Sequence, residues 1–245
     1  MFVGVDGCRR GWFAVALPEL GDPEMALFPD AAALWNKHRD AHLILIDVPI
    51  GLRDKGEAER LCDTEARQLL GDRASSVFPA PCREAIGAKS YKEASRINNE
   101  RTGRKLSKQS WGLVPKIREV DTLLLSDQKA RERIKEIHPE VCFWALAGGH
   151  PMDHHKGTEQ GYLERAHVLQ SVFPGAYDTI ARALDQWTRG DVARDDILDA
   201  LAAAVTASAG LHALATIPTT PDTDSNDLPM QMLYSPQFLE YEWTS

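Results

Sequence analysis

No apolar run in this 245-residue chain approaches the roughly 18–20 residues that a membrane-spanning helix needs. The four cysteines (Cys8, Cys62, Cys82 and Cys142) are scattered and form no CxxC pair. That pattern excludes a zinc knuckle or disulfide framework and fits a reducing compartment. There is no Walker loop, no GxGxxG, no GxSxG and no internal repeat, so no phosphate-cradling glycine loop or serine-hydrolase elbow is on offer. The chain opens MFVGVDGCRRGW, which reads as an immediate strand with no leader before it. The expectation is a soluble, cytoplasmic protein. With 43% hydrophobic and 26% charged residues, 17 Gly and 14 Pro, the chain is ordinary in composition and folds around one large core, or a core with a smaller embedded unit.

Net charge is −8, which on its face disfavours a polyanionic partner. The charge is segregated, however. Between Arg83 and Arg118 stand ten Lys or Arg against three Glu, a local +7 that leaves −15 for the rest. This describes a basic lobe on an acidic body.

Phe2 to Asp6, Gly11 to Leu17 and Met25 to Phe28 read as three short strands joined by tight turns, an antiparallel meander. Asp30 caps a helix running to about Arg39. Leu43 to Val48 is apolar without alternation, the mark of a strand buried on both faces. Residues 53–118 are polar and helical in pattern and read as an insertion, after which Ile117 to Leu125 resumes a helix. Ile134 to Val141 is expected as a fifth strand interrupted by Pro139. Helices follow near 160–172 and 176–188. A final helix from Asp195, DDILDALAAAVTASAGLHALA, is apolar nearly all round and so belongs against the sheet. The order predicts an α/β fold with a mixed five-stranded sheet, helices on both faces and a helical basic insertion. Residues 1–217 form the domain. The tail 218–245, whose end gains Met, Leu, Tyr and Trp, is expected to dock on the body.

Asp6 and Asp47 end two strands expected to be neighbours, at the edge where open α/β sheets bind ligands. Singly, each could be a strand-end turn residue; together they favour a functional site. Asp195, Asp196 and Asp199 open the last helix. One acid there serves capping and the helix dipole, but three in five residues exceed that need. Asp199 lies inside the apolar face, and its helix offers no Lys or Arg to pair with it. A buried unpaired carboxylate is costly, so a bound metal is the economical answer. Glu136 and His138 share a face of the expected fifth strand, and either could add a ligand, Glu136 before His138. Oxygen-only donors select Mg²⁺ or Mn²⁺, and a pair of such ions is the usual arrangement for in-line phosphoryl displacement. The grouping of His150, Asp153, His154 and His155 fits no usual zinc spacing and reads as chance in a loop.

In the basic segment, Lys105, Lys108, Lys116 and Arg118 interleave with Tyr91 and Trp111, offering cations for phosphates and rings for exposed bases. The plainer alternative is a solvated helical lid with Trp111 in its core. Arg9 and Arg10 could meet a phosphate or form a simple surface turn.

VGVDG, LILIDVP and DDILDALA, in that order, resemble the three acidic motifs of the RNase H-like superfamily, the last being similar to the helix motif of Holliday-junction resolvases. SSVFPAPCREA (75–85), TGRKLSKQSWGLVPKIREVD (102–121), EIHPEVCFWAL (136–146) and DDILDALAAAVTA (195–207) resemble an uncharacterised family of predicted RNase H-like nucleases, catalogued as a numbered domain of unknown function. That resemblance, from about residue 2 to 215, implies an RNase H-like fold and a metal site at Asp6, Asp47 and Asp196 or Asp199. Within the similar stretch KGTEQGYLERAHVL, Lys156 is a candidate phosphate contact. The expected function is metal-dependent hydrolysis of phosphodiester bonds in DNA or RNA, with two Mg²⁺ or Mn²⁺ ions and Asp6, Asp47, Glu136, Asp196 and Asp199 as the catalytic set. Arg9, Lys105, Lys108, Trp111, Lys116 and Lys156 would face the substrate. A phosphotransferase or phosphohydrolase on a small phosphorylated substrate is the alternative enzyme reading, and a nucleic-acid-binding module with a vestigial site the non-enzymatic one.

Overall fold

Period-two alternation along the central strands assigns their side chains to two faces. In the computed structural model, which describes residues 1–239, β1 (Phe2–Cys8), β2 (Gly11–Leu17), β3 (Glu24–Phe28), β4 (Leu43–Ile46) and β5 (Ile134–Glu136) form one sheet in the order β3-β2-β1-β4-β5. The three-strand meander is antiparallel, and β1/β4 and β4/β5 are parallel. The protein is therefore a mixed α/β fold, as its element order predicts.

Val3, Val5, Trp12, Ala14, Ala16, Ile44 and Ile46 face a layer built from α1 (Ala31–His38) and α4 (Lys108–Ser126). Phe13, Val15, Leu17, Leu43 and Leu45 face the opposite layer, formed by α6 (Pro139–Leu146), α7 (Glu159–Val172), α8 (Ala176–Gln186) and α9 (Arg194–Ser208). The connection from β4 to β5 carries α2 (Leu61–Leu70), α3 (Tyr91–Thr102), α4 and α5 (Gln128–Arg133).

Gly4 determines how α9 sits. A Cβ there would lie 2.0 Å from the Ala204 amide nitrogen and 2.2 Å from the Ala200 carbonyl oxygen. The bare glycine, facing Ala200, Ala203 and Ala204, lets the helix backbone rest directly on β1. This contact brings the acidic first turns of α9 to the end of the strand that carries Asp6.

Two expected boundaries are corrected. Residues 134–141 are not one strand: β5 ends at Glu136, and Pro139 opens α6 with His138 as the residue before it. Proline suits a first helical position because its missing N–H would be unbonded there anyway. The helix expected at 117–125 begins at Lys108, so the insertion boundary at 118 falls inside it. Ser107 accepts from the Ser110 amide at 2.9 Å to cap this helix, and Val114, Ile117, Val120 and Leu124 form its buried stripe despite Pro115.

The tail docks as far as it is described. β6 (Ala215–Ile217) pairs with β7 (Met232–Tyr234), and Leu228, Met230, Met232 and Leu233 are buried. The expected docking of Tyr241 and Trp243 lies outside the described residues.

Candidate metal and phosphoester site

Parallel pairing sets the first two carboxylates side by side. Val5 is opposite Ile46, and the Asp47 amide donates to the Val5 carbonyl at 3.0 Å, so Asp6 and Asp47 occupy equivalent positions just past the last β1/β4 pair, although β1 itself runs on to Cys8. Their carboxyls lie within hydrogen-bonding reach of each other. The Gly7 amide donates to Asp6 Oδ1 at 2.7 Å. Burial, then the charges of Asp47, Asp199 and Asp196, push the Asp6 carboxyl well above the usual carboxylate range. Burial also raises Asp47, against the opposing pull of His138 and Lys156.

α9 supplies the rest of the acid. Asp196 accepts from the Ala193 amide at 2.9 Å, so it serves the helix start while still lining the cleft. Burial raises it to about 6. Asp199, 1% exposed, is raised by burial to about 7. The sequence expectation that Asp199 lacks a cationic partner is corrected: Lys156, from the turn before α7, puts Nζ 2.7 Å from Asp199 Oδ2 and 3.6 Å from Asp195 Oδ2. The other oxygen, Asp199 Oδ1, is buried without a hydrogen-bond partner among the described residues.

Asp6, Asp47 and Asp196 line one end of a cleft of about 350 Å³, and the buried Asp199 lies close enough to raise Asp6. Lys116 comes from α4. Its Nζ donates to the Gly11 carbonyl and stands 4.4 Å from the centroid of the Trp12 ring, and burial lowers its pKa. His138 contributes from the start of α6, its Nε2 3.3 Å from the Ser76 carbonyl and its Nδ1 buried without a partner among the described residues. Arg73, His155 and the exposed Phe78 complete the rim.

Glu136 departs from its expected role. It is buried against Arg60, which donates Nη2 to Glu136 Oε1 at 2.6 Å and Nη1 to Oε2 at 2.9 Å. The same guanidinium holds Asp63, and the Ile50 amide donates to Glu136 Oε2 at 2.6 Å. Cys62, Asp63 and Glu136 do bring one ligand atom each within 4.8 Å of one another. Arg60 bridges both carboxylates, burial pushes the Cys62 thiol up and Glu136 to about 7, and Arg60, Asp63 and Glu136 line the cleft as a structural ion-pair network. Among the described residues Cys62, Asp63 and Glu136 are also the one such set of three, so the Asp6, Asp47, Asp196 and Asp199 oxygens do not close on a common point.

Of the residues expected to face substrate, Lys116 and Lys156 line the cleft, whereas Arg9, Lys105, Lys108 and Trp111 do not. Trp111 packs against Tyr91, with ring centroids 6.4 Å apart, and belongs to the apolar layer beneath α4. Four of the ten cations in the basic segment are ion-paired, two of them with acids outside it. Arg83 pairs with Asp121 and Asp224, Arg96 with Glu100, Arg101 with Glu84, and Arg104 with Glu59. Arg118 donates to the carbonyls of Ile86 and Ala88. The sequence reading missed Arg60, Arg73 and His155 as cleft residues, although Ser75, Ser76 and Phe78 in the cleft wall fall in the quoted SSVFPAPCREA motif.

A family model described as a protein of unknown function, DUF429, matches residues 4–223, and the chain belongs to that family. No curated protein and no solved structure matches it. Among the described residues no helix is long and apolar enough to cross a membrane.

Proposed function

We propose that this DUF429 protein is a divalent-metal-dependent hydrolase of phosphodiester bonds in nucleic acid, built on an RNase H-like core. The observation that carries the reading is the clustering of Asp6, Asp47 and Asp196 in one cleft with the buried Asp199 close behind them, its Oδ1 lacking any partner among the described residues. Such a cluster either holds protons or holds a cation, and all-oxygen donors suit Mg²⁺ or Mn²⁺. Asp6 and Asp47 would hold the ion. Bound there, it would polarise a phosphoryl oxygen and lower the pKa of water.

The chain's own groups support the rest. Lys116 and Lys156 bring positive charge to the acidic end, where a phosphate must approach against the carboxylates. If His138 Nε2 donates to the Ser76 carbonyl, the neutral imidazole leaves Nδ1 as an acceptor. His138 is close enough to Asp47 to influence its charge, which places it at the metal end of the cleft. The apolar wall of Val77, Leu113, Ile137 and Met232 limits water and strengthens these interactions.

The test is thermal unfolding in EDTA, Mg²⁺ and Mn²⁺, together with cleavage of a single-stranded oligonucleotide. The ion should raise the melting temperature by mass action on the folded state, and Asp6→Asn with Asp47→Asn should abolish both the rise and cleavage. No rise at millimolar Mn²⁺ would sink the reading. The modest cleft volume of about 350 Å³ and the ion pairing of Arg83, Arg96, Arg101 and Arg104 favour a second reading, hydrolysis of a small phosphorylated substrate. Faster turnover of p-nitrophenyl phosphate than of bis-p-nitrophenyl phosphate or the oligonucleotide would select it.

A further inference from the structure

We infer that Lys156 holds the place of a second metal ion, so that the carboxylate cluster binds one divalent cation, at Asp6 and Asp47, with the lysine ammonium as its fixed companion charge. The inference rests on the metal reading above and specifies its stoichiometry. Its basis is an inventory of oxygens. Asp6 and Asp47 form a mutual pair, whereas Asp199 Oδ2 is taken by Lys156 at 2.7 Å, with Asp195 Oδ2 3.6 Å from the same ammonium. Asp196 Oδ2 accepts from the Ala193 amide. A two-ion site needs carboxylates that bridge two positions about 3.5–4 Å apart. Here the α9 side of the cluster is already organised around a cation that the chain supplies.

Lys156 is held in a built turn, which separates it from a surface lysine that happens to reach an acid. The Gly157 amide donates to His155 Nδ1 at 3.1 Å and Thr158 Oγ1 to the His155 carbonyl at 2.8 Å. Thr158 then caps α7 through the Gly161 amide at 3.0 Å. A Cβ on Gly161 would come within 2.1 Å of the His155 carbonyl oxygen, so the turn sits directly on the helix. From below, the buried Arg165 donates Nη1 to the His154 carbonyl at 3.0 Å while its other nitrogens grip Glu140. A cation mounted this way adds charge where a second ion would stand without needing that ion to bind.

Mn²⁺ binding to the full chain, counted by isothermal titration and by loss of the free-ion electron paramagnetic resonance signal, tests this directly. The expected result is one ion per chain for the parent and for Lys156→Arg, and two for Lys156→Met, because removing the ammonium exposes Asp199 and Asp195 to the solution cation. Two ions on the parent, or one on a folded Lys156→Met, would overturn it. Lys156→Gln, which retains hydrogen bonding without charge, should also bind two; one ion there overturns the inference even if the Met variant does not fold. A parent that binds no Mn²⁺ at all removes the underlying metal reading, an outcome distinct from both.

Discussion

Gly4→Ala is a single-methyl change that should disable a site whose carboxylates it does not touch. The new Cβ would stand 2.0 Å from the Ala204 nitrogen and 2.2 Å from the Ala200 oxygen, both backbone atoms, where ordinary contact begins at 3.4 Å. Relief therefore requires β1 and α9 to part by about 1.4 Å near this point, since backbone in the middle of a helix cannot swing aside as a flexible side chain can. Overpacking a close-packed core costs about 1–3 kcal/mol, sometimes more. For a chain of this size that lowers the melting temperature by roughly 2–12 °C at about 2–4 °C per kcal/mol. The shift acts along the interface that aligns Asp199 and Asp196 with Asp6, and an error of about 1 Å in such a constellation is enough to cost function. Thermal unfolding with and without Mn²⁺ reads both effects: the variant should melt lower in EDTA and gain less from the ion than the parent does. An Ala variant with unchanged melting and an intact Mn²⁺ response would refute the claim that α9 seats on Gly4 to build the site.

Metal-free protein should lose stability as pH rises from about 4 to about 7. Asp196 and Asp199 are raised to about 6 and about 7 when folded, against about 3.9 unfolded, so the native state binds the extra protons and their release on raising pH favours unfolding; urea titrations in EDTA should show a fall on the order of several kcal/mol, which saturating Mn²⁺ reverses. Arg165→Met should destabilise by about 3–5 kcal/mol, because Glu140 stays buried without its guanidinium; chemical denaturation checks it, and a loss below about 1 kcal/mol would show that the pair is dispensable. Lys105→Gln with Lys108→Gln should leave the melting temperature within about 1 °C, since exposed charges contribute little, and should leave the salt slope of oligonucleotide binding unchanged, because neither lysine lines the cleft. A slope shallower by about 1–2 would return the basic segment to the substrate path.

The elements that could be read from sequence are those whose signals are local. β1, β2 and β4 are dense apolar runs with hard stops, and α9 announces itself through acids followed by an unbroken apolar stretch. The failures share a cause too. Pro139 in EIHPEV reads as an interruption of a strand, though the same residue is a favourable first residue for α6. A helix resuming at Ile117, after a segment read as an insertion, falls inside α4. The buried stripe of Val114, Ile117, Val120 and Leu124 shows that tertiary burial carries α4 through Pro115 despite the lost backbone bond.

The candidate site divides along the same line. Its acidic half was legible because each Asp sits where a strand ends or a helix begins, so position along one element is nearly position in space. Its cationic half was not. Lys156 meets Asp199 43 residues away, and Arg60 meets Glu136 76 residues away. Nothing in the local pattern of KGTEQG says which carboxylate Lys156 will meet, and AERLCD offers only the neighbouring Asp63 to Arg60. The basic segment misled for the converse reason. Its charges cluster along the chain, yet Arg83, Arg96, Arg101 and Arg104 are satisfied by acids from several parts of the fold, and net charge over a stretch does not measure the charge left to meet a ligand. What survives pairing decides the field in the cleft: at its acidic end Asp6, Asp47 and Asp196 stand beside Lys116 and the Asp199–Lys156 pair. On the proposed metal-dependent function, that imbalance would draw a cation before the cleft admits a phosphate. Metal binding should therefore precede substrate binding, with substrate affinity negligible in EDTA and rising with ion occupancy.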